Sequence, residues 1–321
     1  FGAALHYFTG SKDHNVHIRK LGIRKGLTIS EYGVYRGTAA HKGKLLAART
    51  EEDVYRSVGL PYIEPELRED RGEIEAATKG ELPKLIEVSD IRGDLHCHST
   101  FSDGADTMSD MAKAAKAAGL EYIVITDHAS SMGMVKGIKK ENIHQYLKKI
   151  EEARKTVKGI HILAGAEVDI LEDGSLYLPD ECMKKLDWVV ASVHSHFRQS
   201  REVTTKRLLH AIENPYVKVL GHPTARMLGE REGIDFDVEA VLKEAAKRGV
   251  AVELNASAER LDLPDIYLKR AKELGVKICI NSDAHSVRGF SYELGVSQAQ
   301  RGWLEKGDIL NCQLHSRIEN L

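Results

Sequence analysis

Apolar runs of four to nine residues recur from residue 92 onward, and each is followed by a polar turn and a stretch with helical spacing. Seven runs have the near-continuous apolar character of buried strands: residues 92–95, 121–126, 160–168, 187–193, 217–221, 250–255 and 276–281. Helical stretches between them end at glycine, as residues 108–118, 142–157 and 238–248 do. This alternation predicts a parallel sheet with helices outside it.

Seven strand–helix units favour an α/β fold closed as a distorted seven-stranded (β/α) barrel, one unit short of the usual eight. The alternative is an open, doubly wound sheet, which the number of strands does not exclude.

The first ninety residues lack this alternation. They predict a turn at Thr9-Gly10-Ser11, a helix over 14–25, a strand pair over 27–35 and a helix over 51–60, which together favour a small α+β segment. Residues 61–83, rich in glutamate and containing three prolines, resemble a connecting segment. We therefore expect an N-terminal segment over 1–60, a linker over 61–89 and the barrel over 90–321.

Charge and composition add three expectations. Residues 1–50 contain nine Lys or Arg against Asp13 and Glu31, a basic block that suits a phosphate backbone, although a solvated basic face is the commoner meaning. The four cysteines have no paired spacing, which favours a reducing compartment. Without an apolar run of membrane-spanning length, the sequence predicts a cytoplasmic protein that has no membrane partner.

Imidazole and carboxylate side chains follow the predicted strands at one end. They are His96, His98, Asp103, His128, Glu167, His194, His222, Asp283 and His285. A single histidine after a strand is usually structural, but the carboxyl ends of parallel strands meet at one edge, so this whole set should converge. Mixed imidazole and carboxylate ligands suit zinc, manganese or iron. The sequence therefore predicts a metal site.

The motifs that carry these residues are Asp94-Leu95-His96-Cys97-His98-Ser99, Thr126-Asp127-His128, Gly165-Ala166-Glu167, Val193-His194-Ser195-His196, Gly221-His222-Pro223 and Ser282-Asp283-Ala284-His285. As a set, over about residues 90–311, they resemble the PHP (polymerase and histidinol phosphatase) family. The resemblance implies three divalent ions, manganese or zinc with iron as a further option. It also implies three ligand sets: His96, His98, Glu167 and Asp283; Glu167, His194 and His222; and Asp103, His128 and His285.

A second resemblance lies upstream. Residues 2–15, with Tyr7-Phe8-Thr9-Gly10-Ser11, are similar to the end of the palm and the thumb of bacterial and archaeal family X DNA polymerases. It implies nucleotide contacts at Tyr7, Phe8 and Gly10. Residues 1–50 lack the paired carboxylates that nucleotidyl transfer requires. We therefore expect no polymerase activity here, and we expect the polymerase domains upstream of Phe1.

Together the resemblances imply a metal-dependent 3′–5′ exonuclease or 3′-end phosphodiesterase for DNA repair, acting on 3′ ends or gapped duplex. Glu167 and Asp283 are the expected catalytic residues, and Arg198, Arg226 and His196 the expected contacts to substrate phosphate. Two alternatives stay open. One is a small-molecule phosphatase of the histidinol phosphate type, and the other is a binding module whose metals are structural.

Overall fold

The computed structural model of the protein describes residues 1–130 and 136–318. The chain forms two compact units, Phe1–Lys84 and Leu85–Leu321. Within the described residues, no helix is both long and apolar enough to cross a bilayer.

The first unit combines helices with a three-stranded antiparallel sheet in the order β1-β2-β3. Its elements are α1 (Gly2–Thr9), α2 (Lys12–Arg24), β1 (Leu27–Ser30), β2 (Gly33–Gly37), β3 (Lys42–Ala47), α3 (Glu51–Val58) and α4 (Glu73–Lys79). Ser11 caps α2 by accepting a hydrogen bond from the backbone N–H of His14, which explains why the chain turns at Thr9–Ser11. The sequence analysis missed β3, because its lysines and glycine give it no apolar face.

The stretch expected as a linker is folded as far as Lys84 within the first unit. Arg68 and Glu73 are both fully buried there. The Arg68 guanidinium donates to Glu51, and the Glu73 carboxylate lies 2.6 Å from Nδ1 of His14. A buried ion pair and a buried hydrogen bond thus tie the glutamate-rich stretch to the helices before it, which its composition alone does not reveal.

The second unit contains seven parallel strands in the order β11-β10-β9-β8-β7-β5-β4, with a two-residue strand, β6, paired to β7. Their bounds are β4 (Gly93–Cys97), β5 (Tyr122–Ile125), β6 (His128–Ala129), β7 (His161–Asp169), β8 (Trp188–Ser192), β9 (Val219–Leu220), β10 (Ala251–Asn255) and β11 (Ile278–Asn281). The predicted strands and the predicted barrel are confirmed, and β6 was missed because two residues carry no periodicity.

Helices follow the strands around the barrel. They are α5 (Met108–Ala117), α6 (Ile143–Thr156), α7 (Asp180–Met183), α8 (Arg201–Glu213), α9 (Val238–Arg248), α10 (Asp265–Glu273), α11 (Glu293–Arg301) and α12 (His315–Ile318). One buried apolar cluster lies between helices and strands, and a smaller one, including Leu95, Tyr122 and Trp188, fills the inside of the barrel. The strands are therefore buried on both faces, as their continuous apolar runs require.

The barrel closes between its first and last strands through side chains rather than through a regular ladder. The backbone N–H of Leu95 donates to Oδ1 of Asn281 over 3.2 Å, and that of Ser282 donates to Oδ2 of Asp94 over 3.0 Å. Backbone contacts add to them: the His98 N–H donates to the Ala284 carbonyl over 2.9 Å, within an isolated parallel bridge between Cys97 and Ala284. We call this junction of β4 and β11 the seam.

Candidate metal centre

The carboxyl ends of the barrel strands bring all nine predicted ligand residues to one edge, which we call the carboxyl rim. Eight of them fall into three groups in which one potential ligand atom of each residue lies within 4.8 Å of the others. The groups are His98, Asp103, His128 and His285; His96, His98 and Asp283; and His128, Glu167 and His194. The ninth, His222, contacts Glu167 directly. The structure thus collects residues that are up to 189 positions apart in the sequence.

Glu167 lies at the centre of this cluster and is 1% exposed. Its Oε1 is 2.8 Å from Nε2 of His222 and 3.2 Å from Nε2 of His194. Its Oε2 faces the opposite set, at 2.9 Å from His128, 3.4 Å from His96 and 3.6 Å from His98. The two carboxylate oxygens therefore address different groups of histidines.

Asp283 and Asp103 also contact histidines of the cluster, and Asp103 reaches His285 in addition. Oδ1 of Asp283 is 3.1 Å from Nε2 of His98 and 3.6 Å from Nε2 of His96. Oδ2 of Asp103 is 3.3 Å from His128 and 3.5 Å from His285. His98 stacks on His285 with ring centroids 4.2 Å apart, so these histidines form one continuous layer.

Two buried carboxylates behind the histidines fix their orientation. Glu253 lies 2.7 Å from Nδ1 of His96 and also accepts the backbone N–H of His222 over 2.7 Å. Asp169 lies 2.8 Å from Nδ1 of His194. Such contacts hold the Nδ1 proton, so that Nε2 of each ring faces the cluster with its lone pair. The sequence analysis missed both residues, although a glutamate inside the buried strand β10 was a usable signal.

The electrostatics of the cluster favour ionised carboxylates and a neutral His98. Burial opposes a charged Glu167, yet the neighbouring histidines, His194 first, hold the pKa of Glu167 well below its usual range. The pKa of Asp283 is lowered against burial in the same way, by His96 and His98. Burial lowers the pKa of His98 to about 4. The charge of Glu167 outweighs burial at two other rings and raises the pKa of His128 to about 10 and that of His194 to about 9. A divalent ion binds the deprotonated ring, so metal binding would displace protons from these two histidines.

The side chains fit divalent ions by two observations. Among the described residues, Nε2 of His96 and both ring nitrogens of His98 are buried without a well-aligned hydrogen bond. Buried imidazole nitrogens normally have a hydrogen-bond partner or a metal ion, so these three nitrogens are available as metal ligands. Moreover, two ligands bound about 2.1 Å from one tetrahedral ion lie roughly 3.4 Å apart, which is the range of the carboxylate–imidazole distances above.

The predicted phosphate contacts lie in different settings. Arg198 is exposed, and His196 is about half exposed, 3.6 Å from Glu172 and outside the three groups. The Arg226 guanidinium donates to the backbone carbonyls of Arg260 and Leu261.

Arg260, which the sequence analysis did not single out, is the arginine that reaches the cluster. Its Nε lies 3.6 Å from Oδ2 of Asp283, and its side chain is 18% exposed. Arg226 secures the backbone at that position, because it donates to the Arg260 carbonyl over 2.8 Å. No motif marks Arg260, because its place depends on how the loop after β10 folds back over the rim.

Left-handed backbone concentrates at this rim. His196, His222, Ala225, Leu261 and Asp283 all have positive φ, between 23° and 54°. Conformations of this kind cost energy in non-glycine residues and persist where surrounding contacts hold them. Here those contacts include the Glu253 and Arg226 hydrogen bonds, so the loops that carry the site are held in place.

In the first unit, the predicted nucleotide-contact residues surround the turn between α1 and α2. Phe8 is 76% exposed, whereas Tyr7 is partly buried under the Arg19 guanidinium, 5.1 Å from its ring centroid. The Gly10 carbonyl accepts a hydrogen bond from the Asn15 amide over 3.1 Å. This turn is therefore fixed by Asn15, with Phe8 facing solvent.

The PHP domain model matches residues 94–257, about half of the chain. The chain belongs to the PHP-domain family. The DNA polymerase beta thumb model matches residues 4–69, ahead of the PHP domain. Both predicted resemblances are thus confirmed.

Some relatives match nearly the whole chain and others match only part of it. The chain is 39% identical over 99% of its length to the DNA polymerase/3′-5′ exonuclease PolX of Bacillus subtilis, and it spans 55% of that protein. It is 35% identical over 60% of its length to a protein of Thermoanaerobacter sp. (strain X514) named a probable phosphatase, covering 78% of that protein. A solved structure from Listeria monocytogenes, assigned to the histidinol phosphatases, shares the PHP fold at 18% identity and a TM-score of 0.51, covering 63% of this chain and 98% of that one.

Proposed function

We propose that this PHP-domain chain is a metal-dependent phosphodiesterase that removes nucleotides from the 3′ end of DNA. The observation that carries the proposal is the position of Glu167, whose two carboxylate oxygens face different sets of histidines. A carboxylate placed in this way suits a bridge between two divalent ions, the arrangement of two-metal phosphoryl-transfer sites.

The proposed ligand sets use the residues of the carboxyl rim. One ion would be held by His96, His98, Glu167 and Asp283, a second by Glu167, His194 and His222, and a third by Asp103, His128 and His285. Imidazole-rich sets with carboxylates favour manganese or zinc, with iron as a further option. When bound, such ions lower the pKa of bound water and neutralise the charge of a phosphate group.

The chain's own residues then position the reaction. Glu253 and Asp169 hold His96 and His194 in one orientation. Asp283, whose Oδ2 also accepts a hydrogen bond from Asn255 over 2.9 Å, is placed to take a proton from an attacking water. Arg260, beside Asp283, is placed to stabilise negative charge on the phosphate oxygens. We propose Arg260, rather than Arg226, for that role.

Support for DNA as the substrate comes from the first unit. The thumb match over residues 4–69 places a polymerase-like element in the same chain as the barrel. Arg36, Lys42 and Lys44 are exposed on its β2–β3 hairpin, where cations can contact a phosphate backbone. The exonuclease name of the Bacillus relative agrees with this proposal.

The decisive test is to compare hydrolysis of a 5′-labelled DNA strand with a recessed 3′ end in a duplex with that of a phosphomonoester, both with manganese. We expect a ladder of labelled strands that shorten stepwise from the 3′ end. Asp283→Asn should abolish it, whereas Asp110→Asn, at a side chain of α5 that is 47% exposed, should not. Efficient hydrolysis of the phosphomonoester alone would favour the small-molecule phosphatase that the Thermoanaerobacter relative's name suggests. Binding of metal without hydrolysis of either substrate would favour a structural role.

A further inference from the structure

A phenyl ring and a guanidinium group are stacked beside the metal centre. The Arg231 guanidinium carbon lies 4.0 Å from the ring centroid of Phe197, which is a close face-to-cation contact. Phe197 follows β8 and Arg231 follows β9, and these strands are neighbours in the barrel. The two loops that meet here also carry His194 and His222, so the stack belongs to the same edge as the ligand residues.

Both members of the stack are held in position. Nε and Nη2 of Arg231 donate to the Ala225 carbonyl over 3.1 and 2.8 Å, which fixes the plane of the guanidinium. The half-buried Phe197 ring packs against the main apolar cluster of the barrel. A flat surface fixed by hydrogen bonds on one side and by the core on the other loses little entropy when a ligand stacks on it.

Open space adjoins this flat surface. A surface cavity of about 400 Å³ runs along residues 226–233 and includes Arg231 and the exposed Leu228 in its lining. Arg226 also lines this cavity and donates to the Arg260 carbonyl over 2.8 Å, so the cavity adjoins the loop that carries Arg260. Arg260 in turn lies beside Asp283. The cavity is therefore lined by a planar cation and an apolar side chain, close to the proposed reaction centre.

The geometry points to a nucleobase site on the Arg231 guanidinium, which borders the cavity and is held flat by its stack on Phe197. This inference rests on the proposed function and deepens it, because it assigns the group next to the scissile phosphate. A bare phosphate has no face to stack, whereas every nucleobase has one, and guanidinium planes and aromatic rings are the surfaces on which proteins stack unpaired bases. The site would make the barrel select nucleotide units over simple phosphate esters without reading base identity.

The test compares two single-stranded DNA substrates that differ only in one base. One strand is unmodified, and the other has an abasic residue at the last or the penultimate 3′ position. We expect the wild-type chain to cleave the unmodified strand about tenfold more efficiently, which is the size of one stacked base. Phe197→Leu, which keeps apolar packing, and Arg231→Lys, which keeps the charge, should bring this ratio close to one.

A matched control lies elsewhere in the barrel. Trp303 forms a second cation–aromatic pair, with Lys269 3.8 Å from its ring, and follows α11 rather than a rim loop. Trp303→Leu should retain the wild-type ratio. Equal ratios in the wild type and the two rim variants would overturn the inference.

A second readout separates this inference from the proposed function. Fluorescence anisotropy of the same labelled strands, after chelation of metals, gives the binding ratio without turnover. Suppose that the chain hydrolyses neither strand with manganese, yet after chelation binds the unmodified strand about tenfold more tightly, and that Phe197→Leu loses this ratio. That result supports the base site and contradicts the phosphodiesterase proposal. A binding ratio of one in the wild type contradicts the base site.

Discussion

Glu253 shows how much of the candidate site depends on residues that are not themselves predicted to bind a metal ion. Its carboxylate orients His96 through the ring and His222 through the backbone. Replacing such a partner commonly weakens metal affinity about 10- to 100-fold. We expect Glu253→Gln to have this effect, because a neutral amide no longer favours the Nδ1–H form of His96.

Competition with a chromophoric chelator would measure the metal affinity of that variant. Glu213→Gln, an exposed change at the end of α8, is the control and should bind metal like the wild type. Unchanged affinity in Glu253→Gln would show that His96 keeps its orientation by other means.

Arg226 and Arg260 separate two roles that the sequence could not distinguish. If Arg260 contacts the phosphate, Arg260→Gln should lower kcat/KM about 10- to 100-fold, the value of a hydrogen bond between charged groups. Metal content should stay unchanged. Arg226→Gln should differ from Arg260→Gln by lowering the thermal stability, because two backbone carbonyls lose their donor. Steady-state kinetics and thermal denaturation of both variants decide which arginine contacts the phosphate. If Arg226→Gln lowers only kcat/KM and Arg260→Gln lowers the thermal stability, Arg226 is the phosphate contact.

Among single residues, the sequence predicts those that lie at the ends of recognisable strands. It does not predict those that reach the site only through the path of a loop. His96, Glu167 and Asp283 could be identified because each lies at or just past the carboxyl end of a recognisable strand. Arg260 could not, since it lies five residues past β10 in a loop whose path depends on buried Asp262, which accepts the backbone N–H of Thr224. The stack of Phe197 on Arg231 likewise joins two loops that share no pattern in the sequence.

Among the elements, α6 is tied to β5 and β7 by the hydroxyl group of Tyr146, in addition to a hydrogen bond from Arg154 to the Ile162 carbonyl over 2.7 Å. The Tyr146 hydroxyl lies 2.7 Å from the Ile125 carbonyl and 2.8 Å from the Gly165 carbonyl, and the residue is fully buried. Tyr146→Phe leaves buried carbonyl oxygens with one donor fewer, which costs about 1–3 kcal/mol. We expect a loss of that size in the free energy of unfolding of the barrel.

Tryptophan fluorescence during urea unfolding reports this change selectively, because both tryptophans, Trp188 and Trp303, lie in the barrel unit. Tyr32→Phe, at a side chain 70% exposed in the first unit, provides the comparison and should leave the transition in place. A Tyr146→Phe transition that coincides with the wild type would mean that water replaces the lost donor.

Elements with continuous apolar runs were predictable, whereas elements defined by pairing alone were not. Helix α9 begins and ends as its spacing and Gly249 predict. Strand β3 was missed, because its exposed residues give no period, and its hydrogen bonds with β2 decide its conformation. The buried pairs of Arg68 and Glu73 likewise turned an expected linker into a folded part of the first unit.

For the barrel as a whole, the seam is the junction held by the fewest backbone hydrogen bonds. His96 and His98 lie on the β4 side of it, and Asp283 and His285 lie on the β11 side. A divalent ion bound by both sides would add a cross-link at this junction. At a free metal concentration 100-fold above its dissociation constant, one such site stabilises the native state by about 2.7 kcal/mol.

Chelation should therefore speed amide hydrogen exchange mainly at the seam. The His98 amide, bonded to Ala284, and the Ala105 amide, bonded to His285, are the reporters. Amides between β7 and β8, where five residue pairs are in register, should respond less. Mass spectrometry of exchanged peptides measures both, and uniform acceleration around the barrel would contradict the expectation.

The seam also has a consequence for the life of the protein in a cell. In a newly made chain without bound ions, the barrel would open more readily at the seam. Proteases preferentially cleave segments that open transiently. Supply of the catalytic ions would then set how long each molecule survives, as well as how fast it works. Under metal starvation, copies without ions would be degraded rather than accumulate.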